Sequence, residues 1–350
     1  MKKCRVLFSK LILVLLLVAW LSACGQSASE SSQESDAPSE ENTSSEKYKI
    51  SVAHTVPETG STHLGMEKFE ELVETNSDGQ IEVEIYPNGQ LYASEREAIE
   101  AVQAGLIEMT VTASAPVAGF KSEFLALDLP FLFSDHETAY EALDGELGQK
   151  LLDLLPDVGL RGLGYGETGM RQFTNSQHPI EKPEDFNGLK IRTMENQVQI
   201  ETFNALGATA EPFAFGELYS ALQQNVFDGM DNPLNLIHQM KFYEVQDYLT
   251  VSNHSYTATV AFINDNFFTQ LPEELQGVVQ DAALEALDYQ RGLARQQDDE
   301  GLEVINENME INELTPEQRN TFIEALEPVY SSFEEEIGAE ILELARSYQK

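Results

Sequence analysis

From Tyr48 onward the apolar residues keep switching between two spacings, and this alternation constrains the fold more than any other feature of the chain. Tyr48, Ile50 and Val52 lie two apart, the period of a strand with one buried face, and that strand ends near His54. A helical stripe follows from about His63, with Met66, Phe69, Leu72 and Val73 on its buried side. Asp78-Gly79 turns the chain into a second strand through Ile81, Val83 and Ile85, which Pro87-Asn88-Gly89 ends. Ser94 with Glu97 three residues on is a capping box for the next helix, and Gly105 suits its stop. Residues 107–112 read as a third strand, and Ser134 with Glu137 predicts a boxed helix running toward Leu155. Strand and helix in turn are the signature of an α/β sheet with parallel strands. The pattern recurs over 189–230, predicting a second sheet: the strand GLKIRT, a helix over 196–206, a short strand and a helix over 217–224. Polar residues with scattered Leu, Val and Ala over 272–308 predict one long helix lying over both units. Thr315 with Gln318 caps the first of the final helices.

The start of the chain fixes the compartment. Lys2, Lys3, Arg5 and Lys10 precede an unbroken apolar run from Leu11 to Leu21, the pattern of a secretory leader. The run is roughly half of the ~20 residues that a bilayer-spanning helix needs, so a retained anchor helix is the weaker reading. Directly after it, Leu21-Ser22-Ala23-Cys24-Gly25 resembles the bacterial lipoprotein processing site. That likeness implies a leader over 1–23, cleavage before Cys24 and a lipid on its sulfur, which anchors the protein to a membrane from outside the cytoplasm. Cys4 leaves with the leader, so the mature chain would hold no free thiol. Disulfides, thiolate metal sites and cysteine nucleophiles are thereby excluded.

Residues 24–46 are nearly all Ser, Glu, Gln, Asn and Asp after the cysteine; they cannot offset the entropy of ordering and read as a flexible tether. Residues 47–350 form the folded domain. The whole chain has 21 basic and 60 acidic residues; the leader takes four of the basic ones, leaving 17 and a net charge of −43. Such a surface repels a phosphate backbone, so nucleic acid is not a partner. Its self-repulsion is relieved by salt, which points to a saline habitat.

The six histidines form no HExxH and no i, i+4 pair, and the many carboxylates form no DxDxDG loop, so no metal site is expected. Gly164 to Gly169 match GxGxxG, but the residues that follow, through Pro179, cannot open a helix to hold a pyrophosphate. These glycines read instead as a close backbone crossing. No nucleophile elbow or Walker loop is present, and no cofactor is expected.

Arginines are the informative residues, because so few cations survive processing. Arg171 and Arg192 stand at the ends of predicted strands, where ligands of open α/β sheets gather. A guanidinium there offers a planar fork that matches a carboxylate. The same two residues could equally make ordinary ion pairs in a chain so rich in Asp and Glu.

FNGLKIRT from Phe186, LGATAEPFAFGELYSALQQNVFDGMDNPLNLI from Leu206, and FYEVQDYLTVSNH ending at His254 stand in order. With YPNGQL, ALDLPFLF and RQFTNS upstream, they resemble the DctP-type solute-binding proteins of tripartite ATP-independent periplasmic (TRAP) transporters. The likeness covers nearly the whole mature domain. It implies a two-lobed, type II-like periplasmic-binding-protein fold with a hinge. Lobe 1 would take about 47–168 and 258–297, and lobe 2 about 169–257 and 298–350. It also implies capture of a small organic carboxylate for delivery to membrane permease subunits, rather than catalysis.

By the same resemblance, Arg192 holds the ligand carboxylate, Arg171 assists it, and Asn232 and Phe215 line the site, with His54 and Arg96 nearby. Asn232 before Pro233 also fits a helix cap, and Phe215 a core aromatic. Ala113 stands where sialic-acid binders carry a glutamate, which puts sialic acid in doubt and leaves C4-dicarboxylates, uronates and related sugar acids open. Rival readings are a binding protein for an ATP-driven importer or a sensor kinase, and an extracellular enzyme with paired carboxylates.

Overall fold

The computed structural model describes residues 47–349; the leader, Cys24 and the tether lie outside the described residues. Nine strands join in one sheet: β1 (Tyr48–Ala53), β2 (Ile81–Tyr86), β3 (Met109–Ala113), β4 (Leu160–Asn175), β5 (Lys190–Thr193), β6 (Thr209–Pro212), β7 (Gly229–Asn232), β8 (Tyr248–Asn264) and β9 (Glu310–Glu313). Their order is β2-β1-β3-β8-β4-β7-β5-β6, with β9 beside β8. The helices that flank it are α1 (Ser61–Asn76), α2 (Glu95–Gln103), α3 (His136–Leu143), α4 (Glu146–Leu152), α5 (Gln197–Ala205), α6 (Leu218–Gln223), α7 (Leu234–Gln239), α8 (Asp265–Gln270), α9 (Glu273–Asn308) and α10 (Pro316–Ser332), followed by two short helices.

The architecture turns on β4 and β8, 16 and 17 residues long, which run antiparallel along most of their length. One end of this ribbon carries β3, and through it β1 and β2; the other carries β7, β5 and β6. These are the two lobes of a periplasmic-binding fold, sharing two continuous strands. Parallel pairing is confined to the outer pairs β1·β2, β1·β3, β5·β6 and β5·β7, and to β8·β9. The two parallel-stranded sheets expected from the sequence are one mixed sheet, because β4 and β8 run through both lobes and pair antiparallel without a helical crossover.

Three register shifts interrupt β4 against β8, at 162/164, 167/169 and 171/173. Extra residues of this kind bend a strand and sharpen its twist. The glycines of the GxGxxG match lie in this stretch, inside a strand rather than before a helix. A Cβ on Gly166 would stand 2.4 Å from Gln290 Oε1, and one on Gly164 3.1 Å from Leu284 and Leu287, so they are the close crossing under α9. That 36-residue helix spans both lobes: it meets α1 where Gly65 faces Gln290 and α7 where Gly301 faces Leu234. Gln290, buried in its middle, clamps the backbone of β4, accepting from Glu167 N (2.8 Å) and donating to Glu167 O (2.6 Å) and Ser61 Oγ (2.9 Å).

Capping boxes form at Ser94 and Thr315. The helix expected from Ser134 to Leu155 is instead two. Asp135, not Ser134, caps α3 by accepting from Thr138 N at 2.8 Å, and the chain breaks at Gly145, where a Cβ would clash with Glu141 O at 2.5 Å. Among the described residues no helix is long and apolar enough to cross a membrane.

Candidate functional site

Between the lobes lies a cleft that, with the solvent space at its mouth, encloses about 640 Å³. The first lobe contributes Glu95 at the start of α2, and Thr112 and Ala113 at the end of β3. The second contributes Arg192, Met194, Phe215 and Asn232, and the shared β4 adds Glu167, Thr168 and Arg171. Strand ends converge here as in other open α/β sheets.

Arg192, third residue of β5, is 2% exposed, and its Nε and Nη2 both donate to the carbonyl of Phe213, at 2.9 and 2.7 Å. Nη1 is buried and has no partner among the described residues. A carbonyl dipole thus fixes the guanidinium without neutralising it. Burial, and after it the like charge of Arg171, bring its pKa down to about 10, so it stays protonated at neutral pH.

Arg171 has a different fate. It is wholly buried, and its Nε and Nη2 donate to Asp231 Oδ2 and Oδ1 at 2.5 and 3.0 Å, while Nη2 also reaches the Asp231 carbonyl. His254 Nε2 lies 3.2 Å from the same Oδ2, and the imidazole stacks on Phe173 with centroids 4.0 Å apart. Against the cost of burial, Arg171 and His254 hold the Asp231 carboxyl well below the usual carboxylate range. Arg171 therefore lines the cleft as half of an ion pair, whereas Arg192 is in direct contact with no carboxylate among the described residues.

Asn232 ends β7 opposite Gln172; its Nδ2 lies 2.8 Å from Met230 Sδ, and it does not cap α7, whose N-cap residue is Pro233. Phe215 is half-buried at the cleft wall and meets Phe242 edge-on at 6.1 Å. The other two expected residues flank the cleft without being among the residues that line it. His54 follows β1 but turns its ring inward, with Nε2 3.1 Å from His63 Nδ1, so its neighbours Thr55 and Val56 line the cleft in its place. Burial, then the neighbouring imidazole, push its pKa down to about 4. Arg96 lines an adjoining pocket that shares Glu95, Arg192, Met194 and Phe215 with the cleft, and it pairs with Glu100 at 3.0 Å and, across the lobes, with Glu195 at 3.8 Å.

Several residues escaped sequence reasoning. Glu95 lines the cleft and accepts from Ala113 N through Oε1 (2.9 Å); burial raises its pKa, against the pull of that N–H and of Arg192 and Arg171. Glu167, fully buried, takes three donors on Oε2: Tyr140 Oη at 2.5 Å, His136 Nδ1 at 2.9 Å and Tyr256 Oη at 3.3 Å. His136, Glu167 and Asp298 bring possible ligand atoms within 4.8 Å of one another, a cluster from three elements that no sequence spacing could reveal. Hydroxyl and imidazole groups already fill that carboxylate oxygen, and Asp298 Oδ1 accepts from Asn235 N at 2.7 Å, so the cluster reads as a hydrogen-bond network rather than an open ligand set.

A hinged, two-lobed scaffold with a buried, unpaired guanidinium in the cleft defines a binding protein for small anionic solutes. The sequence profile of the family described as bacterial extracellular solute-binding protein, family 7 (DctP), matches residues 52–336, and the chain belongs to that family. It is 36% identical over 296 residues to the C4-dicarboxylate-binding periplasmic protein DctP of Rhodobacter capsulatus, covering 84% of this chain and 88% of the relative. Among solved structures it resembles the sugar acid binding protein DctPAm of Advenella mimigardefordensis in complex with galactonate (38% identity, TM-score 0.83, 87% of this chain and 99% of that one). It also resembles a TRAP periplasmic solute binding protein of Sulfurospirillum deleyianum with bound succinate (34% identity, TM-score 0.82, 87% and 99%).

Proposed function

We propose that this protein captures a small organic carboxylate at Arg192 outside the cytoplasmic membrane and hands it to the permease subunits of a TRAP-type transporter, without chemical turnover. The observation that carries the reading is the buried Nη1 of Arg192, without a partner among the described residues, on a side chain that lines a cleft whose other arginine is already neutralised. Phe213 takes the Nε edge, so the carboxylate docks end-on across Nη1 and Nη2. Asn232 and Phe215 flank it, and the hinge divides the lobes near Thr168 and Thr257. Relatives that bind C4-dicarboxylates, and neighbours holding succinate or galactonate, support an acid ligand. Membership of their family favours a TRAP permease over an ATP-driven importer or a sensor kinase.

Thermal-shift titration with a panel of dicarboxylates, uronates and aldonates tests it. A ligand at about 100 times its Kd adds about 2.7 kcal/mol of stability; Arg192→Ala abolishes the shift, and Arg192→Lys, lacking the fork, weakens it strongly. Normal affinity in the lysine variant refutes end-on bidentate capture. The lipid anchor at Cys24 is read out separately: Cys24→Ser releases the protein from the membrane fraction.

A further inference from the structure

Neighbouring carbonyls of β4 are held by different lobes. Glu167 O accepts from Gln290 Nε2 at 2.6 Å, the same nitrogen donates to Ser61 Oγ in the first turn of α1 at 2.9 Å, and Gln290 Oε1 accepts from Glu167 N at 2.8 Å. Through Met66, Phe69 and Val73, α1 shares a core with β1 and β2 of the first lobe. Thr168 O, one residue on, accepts instead from Asn235 Nδ2 of α7 at 3.0 Å. Through Ile237, α7 shares a core with Met230 of β7 in the second lobe. Gly169 follows at φ 129°, a conformation that strains any side chain, and the register against β8 shifts between Glu167 and Gly169.

Gln290 is 1% exposed, and two glycines make room for it: a Cβ on Gly65 would stand 2.8 Å from its Cβ, and one on Gly166 2.4 Å from its Oε1. A carboxamide offers an acceptor and two donors in one plane, and all three are engaged here. We propose that Gln290 is a positioning residue for the movement of the lobes: its carboxamide makes Glu167 the last residue of β4 that travels with the first lobe, so that rotation starts at Thr168 and is absorbed by Gly169. Without that amide the buried N–H and C=O of Glu167 lose their partner, and the pivot spreads along β4.

Double electron–electron resonance tests this without any ligand. Nitroxides are placed on Glu82→Cys of β2 and Gln223→Cys of α6, both exposed positions, in a chain whose own two cysteines, Cys4 and Cys24, are serine. In Gln290→Leu the distance distribution between the lobes is expected to broaden about twofold or more, and the Glu167 amide to exchange with deuterium about tenfold faster or more, the worth of one buried hydrogen bond. Gly166→Ala combined with Gln290→Ala separates the amide from its packing: the new methyl group occupies the space that the amide leaves, so packing is kept while the clamp is lost, and the distribution is expected to stay broad. A wild-type width in Gln290→Leu overturns the proposal. A wild-type width in the double variant does so as well, because packing alone would then set the pivot. Should Gln290→Leu not fold, the double variant decides by the same reading.

Discussion

Replacing Asp231 by Asn removes one charge with almost no change of shape, and so isolates what the buried ion pair contributes. Arg171 is 0% exposed and has no other carboxylate within 4 Å among the described residues, so the amide leaves a guanidinium stranded in the interior. Breaking one half of a buried pair costs about 3–5 kcal/mol. For about 300 folded residues the unfolding entropy is about 0.6 kcal/mol/K, which converts that cost to a fall in Tm of about 5–8 °C. Circular dichroism is the assay, since the single tryptophan, Trp20, lies in the leader. The pH dependence has a definite sign: Asp231 has a folded pKa held below its unfolded one, so its contribution is fully present above the unfolded value and is lost as pH falls through the folded one. The deficit of Asp231→Asn is therefore constant from pH 5 to 7 and shrinks below pH 4. A variant melting within 1 °C of wild type at pH 7 would refute the view that Arg171 depends on this carboxylate.

Asp128 titrates in the opposite sense. Burial raises it to about 7 although Gln199 and Asn196 donate to it at 2.8 and 2.9 Å, so the folded protein holds a proton that the unfolded chain has released. Its contribution to stability is lost as pH rises from about 4 through 7, and the stability of Asp128→Asn relative to wild type should climb between pH 5 and 8 in paired thermal melts; a flat difference contradicts the assignment. With a mature net charge of −43, Tm should rise from low to molar sodium chloride as self-repulsion is screened, and a salt-independent Tm removes the argument for a saline habitat.

Most elements could be read from periodicity and caps, because those signals are local: the box at Ser94, the box at Thr315 and the long helix α9 all lie where spacing places them. Arg171, Arg192, Asn232 and Phe215 do gather at one cleft. What spacing could not show was how they differ. Whether Arg171 is free depends on Asp231, 60 residues away, and that pairing is set by the register that places Phe173 of β4 opposite Asp231 of β7. Glu95 and Arg96 illustrate the same limit at shorter range. Neighbouring helix residues point about 100° apart, so one step along α2 separates a side chain in the cleft from one beside it. The antiparallel ribbon was hidden because β4 and β8 each run through two lobes, lie far apart in the chain, and in β4 carry glycines that read as breaks rather than as a continuous strand.

The placement of charge in the cleft also bears on closure. A ligand can shift an equilibrium between open and closed forms only by contacts that it makes better in one than in the other. A carboxylate held by Arg192 alone touches one lobe and would bind open and closed forms alike. A ligand that reaches Glu95 as well touches α2 of the first lobe and β5 of the second, and those contacts coexist only when the lobes approach. The register shifts in β4 at 162/164, 167/169 and 171/173 bracket the crossing between lobes, while Gln290 clamps Glu167 between two of them. Bending is thereby directed to either side of a fixed point, so ligand contacts that bridge the two lobes would set closure, with Arg192 supplying affinity common to both forms.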